Sequence, residues 1–202
     1  MSDNNRFINK VIKRLFDIFA SLFGIILLSP VLLAIAVLIK ILMPGPIFFR
    51  QIRSGRHGKP FSICKFRTMT LNHNGNTISV KGERRITPLG AKLRKYKIDE
   101  LPELWNVLKG DMSFVGPRPD MPEYASRLVG DERQIMELRP GITSPATLVY
   151  SNEEEMLASV PDPQKFNDEV IWPDKVRMNL TYYHNHSFSG DLKVIIRTLI
   201  RW

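Results

Sequence analysis

From Ile18 to Ile39 the chain runs for 22 residues without a charge, bracketed by Asp17 and Lys40. As a helix this run spans roughly 33 Å at about 1.5 Å per residue, enough for a bilayer core of about 30 Å. A removable leader fits poorly. The run is long for a signal-peptide core, no small-residue cleavage site follows, and Pro44-Gly45-Pro46 comes next. The segment is therefore expected in the mature protein, and everything after it must fold beside a membrane or around a very apolar helix.

Ser29-Pro30 stands in the middle of the run. Pro30 has no N–H for the carbonyl of Ile26 and clashes with that turn, and the Ser29 hydroxyl is placed to offset part of the loss. Lys10, Lys13 and Arg14 precede the run, and Lys40, Arg50, Arg53, Arg56 and Lys59 follow it. A single span should leave one flank poor in Lys and Arg, yet both are rich. A hairpin that enters, breaks at Ser29-Pro30 and returns to the same side satisfies both flanks. A Pro-kinked spanning helix and a buried core helix are the alternatives. Asp17, at the edge of the run, is placed to pair with Lys13 or Arg14 on its own helix.

The charge is unevenly spread over the 202 residues. Residues 1–60 hold nine Lys and Arg against two acids, residues 61–120 eleven against six, and residues 121–202 nine against twelve. An anionic partner should therefore meet the first 120 residues, and nucleic acid, phospholipid or a phosphorylated substrate all qualify. No zinc-finger or RNP signature supports nucleic acid. The one cysteine, Cys64, excludes an intramolecular disulfide framework and a multi-cysteine zinc site.

Past the Pro44-Gly45-Pro46 hinge, residues 47–53 and 60–69 alternate as strands around Ser54-Gly-Arg-His-Gly58, which predicts a β-hairpin. The polar stretch from Leu71 to Gly82 reads as a surface loop. Thr87-Pro88 opens a basic helix reaching about Lys97. A second helix is predicted from Asp99-Glu100 to just before Gly110, with Asp99 as N-cap and Leu101, Leu104, Trp105 and Leu108 on its apolar face. Phe114 to Pro119 should be extended and stiff, because Pro117 and Pro119 fix φ. Met121–Leu138 reads as helix, Arg139–Pro145 as a rigid turn, Asn152–Leu157 as an acidic helix start and Asp174–His184 as a helix. Leu192, Ile195, Ile196 and Leu199 form an apolar stripe beside Lys193, Arg197 and Arg201, with Trp202 last. That pattern suits either an anionic membrane surface or the protein's own core.

The chemistry-bearing residues are few. Asp99-Glu100 follows a basic helix at a predicted helix start, where the dipole favours ionised carboxylates. An ionised Asp there can act as a nucleophile and the adjacent Glu can hold Mg²⁺; ordinary capping explains the pair equally well. Arg118, between two prolines, presents its fork in a fixed direction suited to phosphate or to a structural ion pair. Arg94 can reach the same place, and Arg139 is a weaker candidate of that type. His184-Asn-His186 reads as a surface pair. No P-loop and no G-x-S-x-G motif occurs.

Together these residues resemble a known family. Lys13-Arg14-x-x-Asp17, the run broken at Ser29-Pro30, Lys65-Phe-Arg-Thr-Met69, Asp99-Glu-Leu-Pro102, Asn106-Val-Leu-Lys-Gly-Asp-Met-Ser-Phe114 and Gly116-Pro-Arg-Pro119 occur in that order. Over about residues 10–145 the chain resembles the bacterial sugar transferases, and specifically the small monotopic phosphoglycosyl transferases. The resemblance implies transfer of a sugar 1-phosphate from a nucleotide diphosphate sugar, usually a UDP-sugar, to polyprenyl (undecaprenyl) phosphate. The products are polyprenyl-diphosphate-sugar and UMP, the first membrane step of glycoconjugate assembly. On matching positions it implies Asp99 as nucleophile of a covalent phosphosugar intermediate, Glu100 as Mg²⁺ ligand, and Arg118, assisted by Arg94, on substrate phosphate.

The implied architecture is a helix-dominated α+β chain. Residues 1–44 form a re-entrant membrane hairpin, and residues 45–202 a catalytic domain on the cytoplasmic face of the bacterial inner membrane, in contact with its phospholipids. Nucleic acid is not an expected partner, and the sequence leaves monomer and homodimer both open. After Ile142 the chain departs from better-known members, reading Ser144-Pro-Ala-Thr-Leu-Val149 and then Asn152-Glu-Glu-Glu155, so the sugar stays open. Two rivals stand beside this reading: a sequential transferase with Asp99 only a metal ligand, and a non-catalytic module that binds lipid headgroups.

Overall fold

The computed structural model of the chain describes residues 3–71 and 85–201. The loop expected over Leu71 to Gly82, apart from Leu71 itself, and the terminal Trp202 lie outside them. The architecture is helix-dominated α+β: nine α-helices joined by 3₁₀ turns and one π segment, with two small two-stranded sheets among the described residues.

Helix α1, Asp3–Leu42, is 40 residues long and passes through Pro30. The helix-break-helix expected here is one continuous helical element. The Ser29 hydroxyl donates to the Ile26 carbonyl at 2.7 Å, taking over the acceptor that Pro30 cannot serve. By length and composition α1 is able to cross a membrane. Much of its apolar surface is bare, with Phe19, Phe23 and Leu33 each 67 % exposed.

Both halves of α1 nevertheless dock on the rest of the protein. In the first half, Asp17 Oδ1 accepts from Ser113 Oγ and from the Phe114 amide, each at 3.1 Å. Arg14 donates to the Val107 and Leu108 carbonyls at 2.7 and 2.9 Å, and Lys13 pairs with Asp191. The pairing of Asp17 with Lys13 or Arg14 anticipated within the helix gives way to these longer-range partners, because buried Asp17 gains two donors from residues 113–114. In the second half, Ile35 and Ile39, with Met43 just past the helix end, pack with Phe66 and Leu93 in a closed apolar cluster. Arg67 then locks the turn after α1, donating to the Pro46 carbonyl at 2.7 Å and also to those of Met43 and Pro44.

The expected hairpin is present. Strands β1 (Phe48–Ser54) and β2 (Pro60–Phe66) pair antiparallel from Phe48↔Phe66 to Ser54↔Pro60. Helix α2, Pro88–Lys95, starts at Thr87, whose hydroxyl accepts from the Gly90 amide. Lys97, at φ 51°, ends that run, and a 3₁₀ turn over Ile98–Glu100 leads to α3, Glu103–Lys109. Asp99 is therefore not the N-cap of a long helix. It sits inside a tight turn, and α3 starts from Pro102 with no side-chain cap. The buried face of α3 also differs from expectation: Glu103, Leu104, Asn106 and Val107 face inward while Trp105 is 56 % exposed. Asn106 explains part of this, since its carboxamide accepts from the Cys64 amide at 3.0 Å and donates to the Ser62 carbonyl at 2.8 Å, clamping α3 to β2.

The stiff Pro-Arg-Pro segment follows β3 (Ser113–Val115), which pairs in parallel with β4 (Gly141–Thr143). Met121–Leu138 is not one helix: α4 covers only Pro122–Ala125, and after extended Val129 and Gly130 at φ 52° a 3₁₀ stretch runs to Glu137. Helices α5 (Pro145–Val149), α6 (Glu153–Ala158) and α7 (Pro163–Phe166) follow. A π segment over Asn167–Ile171 leads into α8 (Trp172–Asn185), and α9 (Phe188–Arg201) closes the described chain. In α9, buried Asp191 receives Lys13 and the Tyr182 hydroxyl, while Ile196, Leu199 and Ile200 stay 56–78 % exposed.

Candidate active site

Three carboxylates, two cations and two prolines meet where the 3₁₀ turn, α3, β2 and the end of β3 converge. Asp99 and Glu100 are each only 7 % exposed, and Glu103 is 2 % exposed. Lys65, the last-but-one residue of β2, reaches Glu100 Oε1 at 2.6 Å and Glu103 Oε1 at 3.2 Å. Arg118 donates to the same Glu100 oxygen at 2.7 Å while its side chain stays 42 % exposed. The sequence motifs at 65–69, 99–102 and 116–119 are thus brought together by side-chain contact.

Arg118 is held from several sides. The Gly116 amide donates to the Thr143 carbonyl at 3.0 Å, the Gly141 amide to the Pro117 carbonyl at 2.8 Å, and Arg53 to the Pro119 carbonyl at 3.2 Å. Gly116 and Gly141 let the two strands come this close: a Cβ on Gly116 would lie 2.2 Å from the Arg139 carbonyl oxygen, and one on Gly141 2.1 Å from the Gly116 nitrogen.

The electrostatics separate the carboxylates. Burial pushes Glu100 up, but Arg118, Lys65 and Lys97 outweigh it and hold the carboxylate well below its ordinary range. The Glu100 charge in turn raises the Arg118 pKa above its usual value. Burial, helped by Glu100, pushes Glu103 up to about 7 against the pull of Lys65 and Arg118. Burial and the Glu100 charge also raise Asp99, against Lys65, Arg94 and Lys97. Asp99 Oδ1 is buried with no hydrogen-bond partner. One carboxylate is thus firmly ionised and salt-bridged, and its sequence neighbour is more basic than usual and holds an uncommitted oxygen.

Arg94 lies close enough to act on Asp99, but its guanidinium is paired with Glu154. The structure does not bring Arg139 to this group. Its Nε donates to the Gly110 carbonyl at 2.9 Å, and the cations beside it are Arg14 and Arg56; the open carbonyl at the end of α3 claims it. Two residues absent from the sequence-based candidates prove central. Lys65 stands in a motif quoted for resemblance alone, and Glu103 falls one turn after Asp99, where a helix start already explains an acid.

Beside these residues opens a cleft of about 630 Å³, lined by Lys97, Glu100, Arg118, Tyr150, Lys175 and Asn179 with the hydroxyls of Thr143, Ser144, Thr147 and Thr198. That volume is in the range of small-molecule sites. Among the described residues no three His, Cys, Asp or Glu side chains gather to hold a metal unaided. Mg²⁺ needs only one or two carboxylates when substrate phosphate completes its shell. Glu100, ionised and receiving both cations on one oxygen, fits that donor set.

The cleft carries four cationic and four acidic side chains and lies beside the paired Asp-Glu, on a domain docked on a long bare apolar helix. The chain belongs to the bacterial sugar transferase family, whose model matches residues 8–202. The uncharacterized sugar transferase EpsL of Bacillus subtilis is 36 % identical over 189 residues, covering 94 % of this chain and 86 % of EpsL. The exopolysaccharide production protein PSS of Rhizobium leguminosarum bv. phaseoli is 36 % identical over 199 residues, with 94 % of each chain covered. The UDP-glucose:undecaprenyl-phosphate glucose-1-phosphate transferase of Klebsiella pneumoniae is also 36 % identical, over 201 residues, but the match takes up 96 % of this chain and only 40 % of that protein.

Proposed function

We propose that this protein transfers a sugar 1-phosphate from a UDP-sugar to undecaprenyl phosphate, in two steps through Asp99. The observation that carries the reading is the uncommitted, buried carboxylate oxygen of Asp99 beside the Arg118–Glu100–Lys65 ion-pair group. Relatives named as UDP-glucose- and UDP-N-acetylgalactosamine-dependent undecaprenyl-phosphate transferases support the substrate classes.

In the first step the Asp99 carboxylate attacks the sugar-linked phosphorus. An acyl-phosphate bond forms, the diphosphate bond breaks, and UMP leaves with the bridging oxygen and its electron pair. In the second, a phosphate oxygen of the lipid attacks the same phosphorus, and the Asp99 carboxylate is released as the leaving group. Arg118, fixed between prolines, grips phosphate oxygens and offsets charge that develops during both transfers. The raised basicity of Asp99 favours attack, provided the group is ionised. Mg²⁺, held by Glu100, would screen the negative charge of the diphosphate.

We infer that α1 is re-entrant, with both ends on the cytoplasmic face of the inner membrane. The support is the docking of its two halves on one polar domain, through Lys13, Arg14 and Asp17 on one side of Ser29-Pro30 and Ile35, Ile39 and Met43 on the other. A straight span would carry one of those halves to the far side of the bilayer, away from the domain. The exposed Ile196, Leu199 and Ile200 of α9, beside Lys193 and Arg197, suit contact with an anionic phospholipid surface.

The test is single-turnover UMP release from UDP-sugars with Mg²⁺ and without lipid. Wild type is expected to release about one UMP per protein and to carry a sugar-phosphate mass adduct on Asp99, with Asp99→Asn inert. Release that begins only when undecaprenyl phosphate is added would overturn the covalent route and favour direct transfer.

A further inference from the structure

The cleft beside Arg118 is lined by neutral polar groups as well as charges. The hydroxyls of Thr143, Ser144, Thr147 and Thr198 satisfy one another or nearby backbone, and that of Tyr150 donates to Asp174 at 2.7 Å. Ser144 Oγ accepts from the Thr147 amide at 2.9 Å and shares a bond with Thr147 Oγ1 at 3.0 Å. Thr143 and Thr198 share one at 2.8 Å, and Thr198 also bonds the Val194 carbonyl. Asn179 is different. It is 9 % exposed, lines the cleft, and its Oδ1 is buried with no partner. Buried side-chain acceptors are normally paired, so an unpaired carboxamide oxygen on a residue that lines a cavity points to a ligand that supplies the donor.

The helix it stands on strengthens this. The α8 residues that line the cleft are Trp172, Lys175, Val176 and Asn179, spaced i, i+3, i+4 and i+7, so a single face of α8 forms that wall. Asn179 lies one turn beyond Lys175, which is held by Glu153 at 2.6 Å. Opposite are residues of α5, in the stretch where the chain departs from its better-known relatives. Of the four α8 residues on that wall only Lys175 is charged, and its ammonium is paired with Glu153, so the Asn179 end of the wall suits a neutral polar group.

We propose that Asn179 is a specificity-determining residue that reads the neutral end of the nucleotide sugar through an adjacent N–H and C=O edge, the edge that the uracil imide presents. A carboxamide offers one acceptor and two donors, so Oδ1 takes the ring N–H while Nδ2 donates to a flanking ring carbonyl. The acetamido group of an N-acetylated sugar carries the same N–H and C=O, but on opposite sides of a trans amide, so it can meet Asn179 with only one bond. The inference rests on the proposed function for its ligand and goes beyond it in naming the recognising residue.

The test uses the full-length protein in detergent and measures UMP binding directly, alongside KM and kcat for UDP-glucose and UDP-N-acetylglucosamine. Wild type should bind N3-methyl-UMP at least ten-fold more weakly than UMP, because the methyl group removes the donor; this arm needs no substitution. Asn179→Leu should raise the Kd for UMP and the KM for both sugars about ten-fold or more, with kcat within about two-fold, and should erase discrimination against the methylated base. Equal binding of UMP and N3-methyl-UMP by wild type overturns base reading. So does a variant that keeps its UMP affinity but loses its preference between the two sugars, which would transfer the role to the acetamido group. Wild type that binds no UMP overturns the inference together with the proposed function. Wild type that binds UMP with the same affinity as Asn179→Leu overturns the inference alone.

Discussion

Lys65→Met tests whether the ion-pair group sets the ionisation of the reacting carboxylates or merely braces the fold. Lys65 Nζ lies 2.6 Å from Glu100 and 3.2 Å from Glu103, whose side chains are 8 % and 3 % exposed. A unit charge pair at about 4 Å in an effective dielectric of about 20 is worth about 4 kcal/mol, and removing one partner of a buried pair costs about 3–5 kcal/mol. Protonation relieves part of this, because Glu103 is already near neutrality at about pH 7. The expected loss is therefore about 3 kcal/mol, which for a chain of this size lowers Tm by roughly 6–12 °C. Lys65 also lowers the pKa of Asp99 and Glu100, so its loss raises both. An opposite charge at this range moves a carboxyl by about 1–3 pH units, so the acid limb of single-turnover UMP release should move up by at least about one unit. Thermal unfolding and a pH profile from 5 to 9 measure the two effects separately. A lowered Tm with an unmoved acid limb would refute the electrostatic reasoning and leave Lys65 a brace.

Glu103→Gln probes linkage. The folded pKa of Glu103 lies above its ordinary 4.5, so between about pH 4.5 and 7 the native state holds a proton that the unfolded chain has lost. Wild-type stability should fall relative to the variant across that window, by at most about 1.4 kcal/mol per pH unit, and run parallel to it above pH 7; denaturation midpoints at five pH values decide it. Gly116→Ala places a Cβ 2.2 Å from the Arg139 carbonyl oxygen, so the β3–β4 pair must part. UMP release should drop at least about ten-fold, with a reduced Tm, whereas the exposed Gly130, with open space around its Cβ position, should show no such loss of activity when changed. Ser29→Ala removes the 2.7 Å bond to Ile26 and should cost about 1 kcal/mol, read as a lower unfolding midpoint in detergent.

What the sequence could show followed from local physics. Proline and threonine at 87–88, the turn at 54–58 and the apolar run each determine their own conformation, and the structure has the helix start, the hairpin and the long helix there. The misses arise where tertiary packing overrides a local preference. Trp105 fits an apolar helical stripe, yet Asn106 wins the inward position because two β2 backbone groups need its carboxamide. Asp99 has every local attribute of an N-cap, but left-handed Lys97 turns the chain one step earlier and gives Asp99 a turn of its own. Arg139 and Arg118 look alike in sequence, each beside proline. What separates them is the end of α3, which draws Arg139 to a carbonyl and leaves Arg118 for the cleft. The pairing of Lys65 with Glu100, 35 residues on, has no local signature.

The apolar cluster of Ile35, Ile39, Met43, Phe66 and Leu93 carries a practical consequence. Ile35 and Ile39 come from the bare apolar helix, Met43 from the residue just after it, and Phe66 and Leu93 from the domain that holds the carboxylates, so the two cannot be separated at the Pro44-Gly45-Pro46 turn without opening a core. Trimming the chain there to obtain a water-soluble catalyst should yield an aggregating fragment, with Phe66 and Leu93 bared to solvent. A soluble form calls instead for repainting the outward side of α1, at Phe19, Phe23 and Leu33, while its inward side is kept intact.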